Sequence, residues 1–263
     1  MSRQNFYKSR KERQRRKVDE ALVKDLVGQE RREQPRIGGL KLYEMLGPEL
    51  NAAGLSIGRD RFFTILRHQG LLLEPLPKAP RTTNSTHSLP VFTNLIRELE
   101  LRGANEVWVS DITYIRLAGQ FAYLSLITDM HSRKIVGYHL GETLAAEDAA
   151  KALEMALVEL PRGTEGLIHH SDRGCQYCSH EYVGRLKANG MAISMTEKNH
   201  CAENALAERV NGILKQEYFL KQEFKTMAQA RRAVAEAVDL YNTRRPHRSL
   251  GLLTPEQVHR AAA

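Results

Sequence analysis

HHSDRGCQYCSHEYVGRLKANGMAISMTEKNHCAENALAERVNGILKQE, residues 169–217, carries an acidic residue near each end, Asp172 and Glu208, with 35 residues between them. Asp172 follows the apolar run Gly166-Leu167-Ile168, which reads as a buried strand ending at a glycine-containing turn. Its carboxylate is therefore expected at the C-terminal edge of a strand, where open α/β sheets place reactive groups. Within the stretch, Ser179 to Lys187 reads as a helix, Ala192 to Met195 as a strand, and the residues around Glu208 as a second helix.

Phasing that second helix at 100° per residue puts Leu206, Val210, Ile213 and Leu214 within an arc of about 100°, a stripe suited to burial. Glu208, Asn211 and Lys215 fall about 140 to 200° from Leu206, so the acid points away from the stripe with Lys215 two turns along on its own face. Glu217 projects onto the apolar stripe, and the sequence offers no reason for it. Glu203 projects toward the apolar side or the first turn, where the helix dipole favours an acid without any catalytic role.

Upstream, Glu106 to Ile115 is a strand-like run that carries Asp111, Phe121 to Thr128 is continuously apolar, and Lys134 to Leu140 follows a turn at His131-Ser132-Arg133. Short connections imply an antiparallel meander. Asp129 reads as a turn former, and Thr143 as the cap of a helix from Ala145 to Leu160. Three strands followed by alternating helix and strand make an α/β fold, a mixed five-stranded sheet covered by helices. An Asp inside an apolar strand is costly unless paired or metal-bound, which singles out Asp111 beside Asp172 and Glu208.

The segments WVSDITYI (108–115), HHSDRGCQY (169–177), CAENALAERVNGILKQE (201–217) and YNTRRPHRSLGLLTP (241–255) closely resemble the second-frame (OrfB) transposases of the IS-three insertion-sequence family, relatives of the retroviral integrases. The resemblance covers nearly the whole chain. It implies a ribonuclease-H-like core in which the first and fourth strands are adjacent, making Asp111 and Asp172 neighbours. It also implies a catalytic and metal-binding set of Asp111, Asp172 and Glu208, with Asp111 bridging two ions and the other two acids holding one each. Oxygen ligands favour Mg²⁺ or Mn²⁺. Two such ions about 3.5 to 4 Å apart activate the attacking water or 3′-hydroxyl and stabilise the leaving oxygen, with no covalent protein intermediate. His170 is an accessory candidate, orienting Asp172 or touching substrate. Asn211, Lys215 and, in the terminal block, Arg244, Arg245 and His247 are DNA-contact candidates. The family usually has Asp at position 203, a chemically mild departure here.

The chain before the core reads as a different domain. Residues 3–17 hold eight cations against Glu12 alone and are expected to stay poorly ordered until they meet phosphate. Helices follow from Lys17 to Arg32, from Gly39 to Leu50, and after Ser56-Ile57-Gly58, the last stopping before Gly70. This suits a helix-turn-helix unit over residues 1–72 whose third helix offers Arg59, Arg61 and Arg67 to the major groove. Residues 73–103, with Pro75, Pro77, Pro80, Arg81 and Pro90, read as a linker containing a short helix from Thr93 to Arg102; Arg81 could follow a DNA backbone. The catalytic core spans 104–225. A helical extension over 226–263 includes a helix from Met227 to Thr243, a basic, surface-seeking turn, and a last helix opened by Thr254-Pro255.

Composition agrees. Lys+Arg 39 against Asp+Glu 31 gives a net charge of +8, which suits a polyanionic partner. No apolar run approaches the roughly 20 residues that span a bilayer, and the N-terminus has charges without an apolar core, so a soluble, intracellular protein is expected; the resemblance implies a bacterial cytoplasmic, nucleoid-associated one. Cys175, Cys178 and Cys201 do not make a disulfide scaffold. Cys175-x-x-Cys178 has zinc-ligand spacing, with His180, His200 and Cys201 as possible partners, but small, buried, reduced thiols are the better reading. Expected partners are DNA, both element ends and target, a second copy of the chain on DNA, and an upstream OrfA protein by frameshift fusion or cooperation. The alternative function is a non-catalytic helix-turn-helix regulator with a degenerate core, which a missing triad acid would mark; none is missing. A ribonuclease of the same core fold is disfavoured by the basic N-terminal domain and the YNTRRPH block.

Overall fold

The computed structural model describes residues 3–74, 89–197 and 204–262, and the chain divides into two compact units, Met1–Pro77 and Lys78–Ala263. In the first unit, α1 (Arg3–Glu33), α2 (Gly39–Ala52) and α3 (Arg59–His68) enclose their own core. Leu42, Leu46 and Leu50 recur at i, i+4 along α2 and meet Val23 and Val27 of α1 and Phe62, Ile65 and Leu66 of α3. Tyr43 sets its ring edge-to-face on Phe62 at 5.6 Å. Gly70, at φ +65°, ends α3; the Leu71 N–H returns to the Leu66 carbonyl at 2.8 Å, a left-handed closure that favours glycine. The helix of α1 begins at Arg3 instead of near Lys17. No glycine or proline interrupts residues 3–27, and the basic and acidic residues of the arm are good helix formers.

The second unit is built on one mixed sheet. β1 (Val107–Leu117), β2 (Gln120–Asp129) and β3 (Ile135–Gly141) form the antiparallel meander, α4 (Ala146–Glu159) crosses over, and β4 (Ile168–Ser171) returns parallel to β1. After the one-turn α5 (Cys175–Cys178) and α6 (His180–Ala188), β5 (Ala192–Met195) pairs parallel with β4. α7 (Ala205–Glu217) then leads to β6 (Glu223–Phe224), which pairs with the far end of β1. α8 (Met227–Thr243), a 3-10 turn (Arg248–Leu250) and α9 (Pro255–Ala262) complete the unit. The strand order is β3-β2-β1-β4-β5, with β6 beside β1. The sheet thus has six strands; the expected five omit β6, whose two residues are too few to show a period.

Helices cover both faces. Trp108, Ile127 and Val136 pack with Ala149 and Leu153 of α4 and Tyr182 of α6, while Ile115, Leu124 and Leu126 pack with Val210 and Leu214 of α7 and Val234 and Tyr241 of α8. Gly137 lets α4 lie directly on β3, since a Cβ there would run into the Ala152 carbonyl. Residues 226–262 belong to this unit. Asn242 on α8 both donates to the Ile135 carbonyl and accepts from its N–H, each at 2.9 Å, completing the ladder where the β2–β3 register shifts.

Two local expectations fail for the same reason, competition by side-chain partners. Residues 93–102 form turns and no helix, because the N–H groups of Asn94 and Leu95 donate to Glu197 (3.1 Å) and to the Ser194 hydroxyl (2.9 Å). Thr143 does not cap α4. Ala145 occupies that position without a side-chain bond, and Thr143 donates to Asp148 at 3.0 Å. Asp129 is a turn residue as expected, fully buried and accepting from the Ser132 N–H and hydroxyl and from the Asn105 N–H.

Candidate active site

The register of two strands builds the site. β1 and β4 pair from Val107↔Ile168 to Ser110↔Ser171, so Asp111, the next residue of β1, stands beside Asp172, the first residue past the end of β4. Alternation along β1 turns Trp108 and Ile112 toward α4 and α6 and Asp111 toward the opposite face, where α7 crosses. There the Asn211 amide donates to Asp111 Oδ2 at 2.7 Å. Asn204, at the start of α7, donates to the Ser110 carbonyl at 3.0 Å. These two bonds fix the helix that carries Glu208 against the strand that carries Asp111. Glu208 lies exposed in the first turn of α7.

Asp172 is held by its own turn. Its Oδ1 accepts from the Gly174 N–H at 2.9 Å, and the neighbouring Arg173 donates to the Thr196 carbonyl at 2.6 Å. Beneath the pair, Ser110 and Tyr182 hydroxyls meet His169 Nε2 at 2.7 and 2.9 Å. Burial first, and then His170, holds the His169 imidazole neutral, its pKa pushed down to about 3.

Electrostatics mark Asp111. Desolvation first, then the like charge of Asp172 and more weakly of Glu208, push its pKa from the ordinary 3.8 up to about 7, against the lowering effect of the Asn211 bond. Lys215, half-buried on α7, has its pKa lowered by burial, while Asp111 draws it the other way. Among the described residues no three His, Cys, Asp or Glu side chains stand close enough together to hold an ion as they are. The donor set nonetheless suits a hard divalent cation. Asp111 and Asp172 are oxygen donors of one sign crowded together, and a cation between them would relieve the repulsion that raises Asp111.

The chain is similar to known proteins. The family described as Integrase core domain matches residues 102–201, and a second of the same description matches residues 189–255. The 31 kDa protein of insertion element IS600 from Shigella sonnei is 38% identical over 224 residues, covering 83% of this chain and 82% of its own. The transposase InsF of insertion sequence IS3A from Escherichia coli is 34% identical over 214 residues, covering 81% of this chain and 74% of its own. The chain belongs to the insertion-sequence transposases with an integrase core. The fold agrees: a simian T-cell lymphotropic virus intasome structure aligns at TM-score 0.52 and 20% identity over 83% of this chain and 73% of that one.

Within this transposase the remaining expected site residues separate into three groups. Arg59, Arg67 and Arg244 are exposed, and Lys215 is half-buried beside the acids. Arg81, like Glu203, His200 and Cys201, lies outside the described residues. Arg61, Asn211, Arg245 and His247 each make contacts within the protein. Arg61 pairs with Glu20 of α1 at 2.8 Å. Arg245 is buried, bound through two nitrogens to Glu217 and 2.9 Å from His247, whose ring stands edge-on to Tyr241. The YNTRRPH turn is thus largely interior rather than surface-seeking, because Glu217, the acid without a sequence explanation, compensates its guanidinium. His170 is fully buried, 2.8 Å from the Ser194 hydroxyl between β4 and β5. Of the cysteines, Cys178 is buried but Cys175 is exposed. Asn204 escaped the sequence reading; an Asn before a helical pattern is the only signal, and it suggests a cap rather than a strand contact.

Proposed function

We propose that this transposase cuts and joins DNA strands at Asp111, Asp172 and Glu208, with two Mg²⁺ or Mn²⁺ ions as cofactor. The observation that carries the reading is the adjacency of Asp111 and Asp172 at the end of the β1–β4 ladder, with the Asp111 pKa pushed up to about 7 by burial first and by the charge of Asp172 second. Bound there, the ions would lower the pKa of an attacking water or 3′-hydroxyl and stabilise charge on the leaving oxygen. Asp111, Asp172 and Glu208 would hold the metal between them. Lys215, on the same face of α7 as Glu208, supplies a cation for a phosphate oxygen of the strand being cut. No side chain forms a bond to phosphorus, so one site serves hydrolysis and then joining of the freed 3′ end.

The separate N-terminal unit, with Arg59 and Arg67 exposed on α3, suits recognition of the element's ends, followed by a linker, the core and its C-terminal extension. Partners would be element-end and target DNA, a second copy of the chain on DNA, and an upstream OrfA protein, in the bacterial cytoplasm at the nucleoid. No helix among the described residues is long and apolar enough to cross a membrane. The test is a strand-transfer assay with the DNA flanking the native gene. Mg²⁺-dependent joining is expected, lost in Asp111→Asn and in Asp172→Asn while DNA binding persists; joining by either variant overturns the reading.

A further inference from the structure

Asn211 is an amide in an unusual position. It sits on the α7 stripe that also carries Glu208 three residues before and Lys215 four residues after, so the three side chains share one helix face. That face meets β1 at Asp111. Asn211 is only 5% exposed, and one end of its amide is spent on Asp111 Oδ2 at 2.7 Å. The other end, Oδ1, is buried with no hydrogen-bond donor among the described residues. A buried carbonyl oxygen left in this state costs stability. Packing alone does not account for it, because a leucine would fill the volume without that cost.

We propose that Asn211 is a positioning residue for the metal-binding carboxylate of Asp111, an inference that rests on the triad reading above. The donated N–H fixes the rotation of the Asp111 carboxylate, which also accepts from the Ile112 backbone, so that its free lone pairs stay aimed while Asp172 repels it. The unpaired Oδ1 of the same amide suits a donor of the kind an ion's hydration shell provides, since Mg²⁺ keeps several of its waters. A ligand's outer hydrogen-bond partner of this type sets how tightly the site holds its ion.

The test measures metal binding directly, by Mn²⁺ electron paramagnetic resonance titration of the full chain, with strand transfer as a second readout. Asn211→Leu keeps the volume and removes both polar ends; Asn211→Ser keeps a short donor and acceptor. The expected result is Mn²⁺ binding about 10- to 100-fold weaker in Asn211→Leu, with partial recovery in Asn211→Ser. Joining should return toward the native rate as metal is raised, and end-DNA affinity should not change. Asp111→Asn is the control that separates the two readings. If it loses Mn²⁺ binding while a folded Asn211→Leu binds like the native chain, the positioning role is wrong and the triad stands. If Asp111→Asn also binds like the native chain, both are wrong. Should Asn211→Leu not fold, native-like Mn²⁺ binding together with a native metal requirement in Asn211→Ala overturns the proposal.

Discussion

Glu217 grips Arg245 with both carboxylate oxygens, at 2.8 Å from Nε and 2.7 Å from Nη2. The pair ties the last turn of α7 to the chain leaving α8, and the Arg245 side chain is 3% exposed against 20% for Glu217. Removing one partner of such a pair leaves the other charge buried and uncompensated. Glu217→Ala is therefore expected to cost about 3 kcal/mol or more, measured by urea unfolding of the full chain. Arg245→Lys should also destabilise, because an ammonium cannot reproduce the two-nitrogen fork. Neither change should alter the salt dependence of end-DNA binding; a smaller slope in Arg245→Lys would return this residue to the DNA surface.

Asp111 makes stability depend on pH in a definite sense. Below pH 3.8 the carboxyl is protonated in both the folded and unfolded chain and contributes nothing. Between 3.8 and about 7 the unfolded chain ionises while the folded chain holds its proton, so stability falls as pH rises, and above 7 the loss is complete. Without divalent metal, Asp111→Asn should thus gain on the native chain through that window, by up to about 4 kcal/mol at pH 8. Mg²⁺ should reverse the order, because only the native chain binds it. Thermal denaturation at pH 5 and pH 8, with and without Mg²⁺, gives the comparison; equal Tm values at pH 8 without metal would mean Asp111 is not under strain.

Two glutamates stand near the start of α7 in the sequence. Glu208 projects from its first turn, on the stripe that carries Asn211, while Glu203 lies outside the described residues. Glu208→Gln is expected to reduce strand transfer at least roughly a hundredfold, as for a lost metal ligand, and Glu203→Gln to keep most of it. The reverse order in the assay would reassign the third acid.

The N-terminal unit has its own core around Phe62, Ile65 and Leu66, so residues 1–77 should fold and bind end DNA alone. Arg59→Ala and Arg67→Ala should each weaken binding and lower the salt slope by about one. Arg61→Ala should instead lower Tm through loss of the Glu20 contact, with little change in slope. A fragment that binds random DNA equally well would move recognition to another segment.

The sequence by itself determined the order of β1 to β5 with α4, α6, α7 and α8, the meander, the apolar stripes of α2 and α7, and the position of Asp172 at a strand's end. Each of these follows from a local period or a local turn signal, and such signals survive in one dimension. The adjacency of Asp111 and Asp172 was different; it entered through resemblance, and the β1–β4 register supplies its physical basis. What only the tertiary structure decided were the polar partnerships: Asn211 with Asp111, Glu217 with Arg245, Asn242 with Ile135. A helical period tells which face a side chain occupies but not what stands opposite, and these partners come from elements far apart in the chain. Arg245 thus reads as a surface cation beside other cations until Glu217 comes to meet it, and Asn211 reads as an open-face amide until β1 closes over it.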